Sequence, residues 1–191
     1  MIAIKIEVAH RVTDEELLRL SELNPGYQFE RTAEGRIIVS PTGGESGRRS
    51  AKLVHQLERW NEQKELGVVF DSSTGFGLPD GSVLSPDASW MRRERWEALS
   101  REEREGFVPL CPDAVFEIRS RFQSLAELRE KMNAYLANGA SLAVLIDPPS
   151  RGVEVYRPGG QVERRENPPA VSLDPELPGF ILELAAIFGE K

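Results

Sequence analysis

Two carboxylates and one lysine are the residues of this chain best suited to chemistry. Glu117 stands in the middle of the otherwise apolar run Ala114–Ile118, AVFEI. A carboxylate in such a run is costly to bury unless something cationic meets it. Lys131 lies in the segment that follows, and Asp87 comes after Pro86 in SVLSPDASWM. Two neighbouring strands that each present a carboxylate at the same end would make a divalent-cation site, and a nearby ammonium would add a fixed positive charge. The competing reading is a buried structural ion pair, and from these residues alone the two weigh evenly.

Other acids fit simpler roles. Asp80 precedes Gly81 and fits a turn. Asp113, at the entrance to the Glu117 run, fits a turn or a cap. Lys131 also has a plain alternative, because Glu127 stands four residues before it on the same helical column. An exposed pair of that kind is worth only a few tenths of a kcal/mol, roughly. Leu128, Met132 and Tyr135 place the column at the margin of a buried face, which favours the site.

The elements that must carry these residues follow from periodicity. Ala114–Arg119 reads as a strand with Ala114, Phe116 and Ile118 on one face and Val115, Glu117 and Arg119 on the other. A helix follows, then LAVLI at Leu142–Ile146, apolar on both faces. Strand, helix and buried strand predict a right-handed parallel crossover that returns the helix over the first strand. That return sets Lys131 above the face carrying Glu117.

Upstream, Ile2–Ala9 is a candidate strand. Thr13 opens a helix running to about Asn24, with Thr13 and Glu16 as a capping box. Tyr27–Arg31 and Arg36–Val39 read as a hairpin. Ser40–Gly47 is a loop, and a second helix spans about Ser46 to Lys64, with Leu53, Val54, Leu57 and Trp60 on its inner side. Arg48, Lys52, His55 and Arg59 form a narrow stripe on the other side. Glu58 and Glu62 nearby favour a solvated face; the functional reading is a track for phosphates. Val68–Phe70, Gly75–Leu78 and Ser82–Met91 read as strands, the last with a proline inside it. Arg92–Glu105 reads as a charged helical excursion, with Trp96 and Leu99 inward. Gly152–Tyr156 and Gln161–Arg165 form a second hairpin, Pro168–Pro178 is irregular, and Phe180–Phe188 closes the chain as a short strand or helix.

Composition narrows the chemistry. The 191 residues suffice for one domain with a real core, and 40% hydrophobic with 29% charged is globular. One cysteine and two histidines leave no zinc site of the usual kind. Any metal is held mainly by oxygen, which favours magnesium, manganese or calcium. The N-terminus lacks the pattern of a signal peptide, and no apolar run nears the ~20 residues of a membrane span, so we expect a cytoplasmic protein with no membrane contact. A net charge of −7 argues against broad nonspecific nucleic-acid binding but leaves room for a local basic surface.

Pro86-Asp87, Glu117, Ser120, Lys131, Tyr135, Gly139, LAVLIDP, VEVYR and LPGF, in that order, resemble the restriction-endonuclease-like proteins of the PD-(D/E)XK superfamily. The match is to its large bacterial branch, in which the lysine has moved to the following helix. The resemblance covers about Val12 to Phe188 and implies an α/β fold, a mixed central sheet with helices on both faces. It implies Mg²⁺- or Mn²⁺-dependent endonuclease cleavage of DNA, with Asp87 and Glu117 as metal ligands and Lys131 catalytic. The helical glutamate that some members add corresponds to Glu45. A homodimer is expected, since both strands of a duplex must be cut. Arg48, Lys52, Arg59 and Arg119 are the candidate DNA contacts.

The chain departs from the pattern at Arg119 and in the loop Arg121-Phe122-Gln123. An arginine stays protonated and cannot act as a base, though it can clamp a phosphate. The competing function is a nuclease fold without activity, serving as a DNA-binding or protein-interaction module.

Overall fold

In the computed structural model, which describes residues 3–41, 43–121 and 123–189, the alternation of Ala114–Ile118 decides the layering. Ile2 and Phe122 of the sequence reading lie outside the described residues. Ala114, Phe116 and Ile118 join one core with Leu53, Leu57 and Trp60, while Val115 joins a second with Leu128, Met132 and Tyr135. The strand is therefore covered by helices on both faces.

Among the described residues the main sheet has six strands. Their order is β11 (Glu163–Glu166), β10 (Gly152–Tyr156), β9 (Leu142–Asp147), β8 (Ala114–Ile118), β7 (Ala88–Arg92) and β4 (Gly67–Asp71). β8 and β9 pair parallel, with Glu117 opposite Leu145, and the other ladders are antiparallel. Helix α2 (Gly44–Lys64) covers one face, with α6 (Ala185–Phe188) beside it. Helix α5 (Leu125–Ala137), the crossover between β8 and β9, covers the other. Ser124 caps α5 by accepting the Glu127 N–H, and Gly139, at φ +106°, turns the chain after it.

A second sheet runs β1 (Ile4–Ile6), β3 (Ile37–Pro41), β2 (Tyr27–Arg31), β6 (Val83–Leu84) and β5 (Phe76–Gly77). Helix α1 (Asp14–Leu23) starts at the Thr13–Glu16 capping box and buries Leu17 against Ile37, Val39 and Val83. The short helices α3 (Arg93–Glu97) and α4 (Arg101–Glu105) form the charged excursion, with Trp96 and Leu99 packed inward and Arg104 over the Trp96 ring. Among the described residues no helix is long and apolar enough to cross a membrane.

Several expected elements differ from the structure. Ser40–Gly47 is not a loop throughout, since β3 runs to Pro41 and α2 begins at Gly44. Ser82–Met91 is not one strand: β6 belongs to the second sheet and β7 to the main one. Pro86 has no N–H for a ladder, and the Ser85 N–H goes to Glu30 Oε1 at 2.7 Å instead of to a strand. The chain changes sheets there, which leaves Asp87 at the junction. Pro168–Pro178 is not wholly irregular either. β12 (Ala170–Ser172) pairs with β13 (Ile181–Glu183), because Val171, Leu173 and Leu177 find buried partners in the terminal segment.

Candidate active site

Glu117 projects from β8 toward α5 and is 4% exposed. Its Oε1 receives the Lys131 ammonium at 2.7 Å and the Tyr135 hydroxyl at 3.1 Å. Lys131 and Tyr135 are one helical turn apart, so the crossover brings both to the same carboxylate. Asp87 enters from the junction between the sheets. Its Oδ2 accepts the Ile118 N–H at 2.7 Å, and its Oδ1 accepts the Ser50 hydroxyl of α2 at 3.1 Å. Glu117, Lys131, Asp87, Ile118 and Ser50 border a cavity of about 100 Å³ whose wall also includes Gln28 and Glu30 of β2.

Glu30 is the participant that sequence reasoning missed. Its Oε1 lies 2.8 Å from Lys131 Nζ, so the ammonium bridges two carboxylates from two sheets. The signal that marked Glu117, an acid inside an apolar run, is absent at YQFER, where polar neighbours hide it. One usable sign existed: an acid in the middle of a hairpin strand has one face to bury.

The electrostatics follow from three neighbouring carboxylates and one ammonium. Burial, first, raises the Glu117 carboxyl, Lys131 pulls it down, and the charges of Asp87 and Glu30 raise it again, so that it stands at about 8. Burial also raises Asp87, against the Ile118 N–H, Lys131 and Ser50. For Lys131 burial acts downward, but Glu117 and Glu30 outweigh it and hold the ammonium above its ordinary range. The two carboxylates thus favour the charged form of Lys131. Burial, then the Glu117 charge, keeps Tyr135 a phenol that donates.

A divalent cation fits this donor set. Asp87 and Glu117 are oxygen donors, and a bound divalent cation would favour their ionised forms over the protons that burial promotes. Among the described residues no three His, Cys, Asp or Glu side chains form a ready-made cage. Two carboxylates suit a hard ion that keeps several of its waters.

The remaining candidates are placed elsewhere. Glu45 is exposed near the start of α2, paired with Arg48 at 2.8 Å and Arg49 at 3.1 Å, and it does not border the cavity. The third carboxylate there is Glu30, because β2 runs past the junction while Glu45 is held by its own helix. Arg119 is committed to Asp147, 3.2 Å from each oxygen, and to the Gln123 carbonyl at 3.0 Å. Its guanidinium ties the end of β8 to the end of β9. Arg48, Lys52 and Arg59 are exposed on α2, and Arg48 also donates to the Ala186 carbonyl. Glu127 does not pair with Lys131; it takes Lys5 of β1 at 2.6 Å. Asp113 accepts the Arg92 N–H and pairs with Arg95, and Asp80 accepts the Ser82 N–H, the structural roles expected of both.

Comparison with known proteins agrees with this architecture. The crystal structure of a "putative nuclease belonging to DUF820" from Anabaena variabilis superimposes with a TM-score of 0.73. It is 24% identical, and the match covers 93% of this chain and 97% of that one, a likeness of fold. No curated protein matches the chain. The model of the family described as "Uma2: Putative restriction endonuclease" matches residues 14–185. With a match over most of its length, the chain belongs to the Uma2 family.

Proposed function

We propose that the protein is a Mg²⁺- or Mn²⁺-dependent endonuclease that hydrolyses phosphodiester bonds in DNA. The observation that supports this most is the cavity itself, where Asp87, Glu117 and Glu30 line one wall and Lys131 pairs with Glu117 and Glu30. The family description names a restriction endonuclease, and DNA is the substrate such a name implies. Asp87 and Glu117 hold the cation, which when bound supplies Lewis acidity toward water and phosphate. Tyr135 orients Glu117 through its hydroxyl. Lys131 presents a permanent positive charge to the phosphate oxygens, where charge builds up during displacement. The exposed Lys52 and Arg59 of α2 offer contacts to the backbone, and a duplex cut on both strands calls for a homodimer.

Glu117→Ala tests the assignment. Calorimetry should show loss of Mn²⁺ and Mg²⁺ binding, and plasmid relaxation with Mn²⁺ should slow by at least ~100-fold. A variant that binds either cation with parental affinity refutes Glu117 as a ligand. DNA binding by the parent without cleavage in any metal would make the chain a binding module instead.

A further inference from the structure

Lys131 and the proposed cation draw on the same carboxylate. The ammonium sits on Glu117 Oε1 at 2.7 Å, and Glu117 is one of only two carboxylates assigned to the ion. A cation on either oxygen of Glu117 neutralises the charge that holds Lys131 there. An ammonium weakened in this way, with its side chain 18% exposed, needs another anion within reach, since a buried charge left alone is costly. Asp87 does not supply it. Its oxygens are engaged by the Ile118 N–H and the Ser50 hydroxyl, and it is the other ligand. Glu127 is occupied with Lys5 on the outside of α5.

Glu30 meets the requirement. Its carboxylate is 2.8 Å from Lys131 Nζ, its side chain is 12% exposed, and the Ser85 N–H at 2.7 Å anchors it. It comes from β2, a strand that contributes no proposed ligand. We infer that Glu30 is a positioning residue that holds Lys131 in the cavity when a divalent cation takes Glu117. The inference rests on the cation site proposed above. Glu30 acts through Lys131 and does not ligate the ion, so its effect must depend on the lysine being present.

A double-mutant cycle on Mg²⁺ and Mn²⁺ affinity tests this by calorimetry, using Glu30→Gln and Lys131→Met. The amide keeps an oxygen for the Ser85 N–H, so the fold should survive. Glu30→Gln alone should weaken cation binding at least about tenfold, the low end for a residue that supports a ligand shell. In the Lys131→Met background the same change should move the affinity by no more than about twofold, the additivity limit for uncoupled sites. An unchanged affinity in the single variant overturns the inference. So does a loss of equal size in both backgrounds, which would make Glu30 a ligand or a simple source of charge. Absence of cation binding by the parent overturns the metal reading, and this inference with it. Should Glu30→Gln not fold, the parent alone decides by NMR. The Lys131 ammonium should stay protected from exchange at saturating Mg²⁺, and a solvent-averaged signal would refute its retention by Glu30.

Discussion

At the scale of single residues, the raised carboxyl of Glu117 has a consequence for stability. Its ordinary value is 4.5, and in the fold it is pushed up to about 8. The folded state therefore binds this proton more tightly than the unfolded chain does. The stability contributed is fully present below about pH 4.5 and is lost as pH rises through about 8. Asp87, also raised, acts in the same direction. On the proposed assignment Mg²⁺ would compete with the same proton, so its affinity should climb over the interval in which metal-free stability falls. Thermal melts in chelator should show the parent losing stability relative to Glu117→Gln as pH increases. A stability difference that does not change with pH would show that Glu117 does not titrate in this range.

Elements explain why some of this was legible in the sequence. Ala114–Ile118 alternates and LAVLI does not, and this contrast alone requires a helix to return over Glu117 with Lys131 on its inner margin. Along α5, positions 127, 131 and 138 share one stripe, which meets the second sheet through Lys5–Glu127, Glu30–Lys131 and Asp80–Asn138. The partners of that stripe could not be read, because they depend on how two sheets dock and not on any local period. The same holds at Pro86, where a proline signalled an irregularity but not a change of sheet. β12 was hidden because its pairing partner, β13, lies beyond a proline-rich stretch. The outer stripe of α2 was legible as geometry but not as function. Since Arg48 is engaged by Glu45 and Ala186, the test falls on Lys52→Glu with Arg59→Glu. If the stripe tracks phosphates, the salt dependence of DNA binding should flatten by about one unit of slope per lost contact. An unchanged slope in a salt titration would return this face to solvent.

At the scale of the whole molecule, the proposed site lies where two sheets meet, and that location has a kinetic meaning. Glu117 and Tyr135 are 18 residues apart, joined by one crossover, whereas Glu30 and Lys131 are separated by 101. Closing the longer loop costs more chain entropy, and distant pairings form slowly. Refolding followed by pulsed hydrogen exchange should therefore protect β8, α5 and β9 before β2; simultaneous protection would refute this order. A chain caught between the two stages would carry Glu117 with its lysine but without Glu30. Acquisition of tight cation binding should then lag behind acquisition of helix, so that the last event of folding is also the one that arms the molecule.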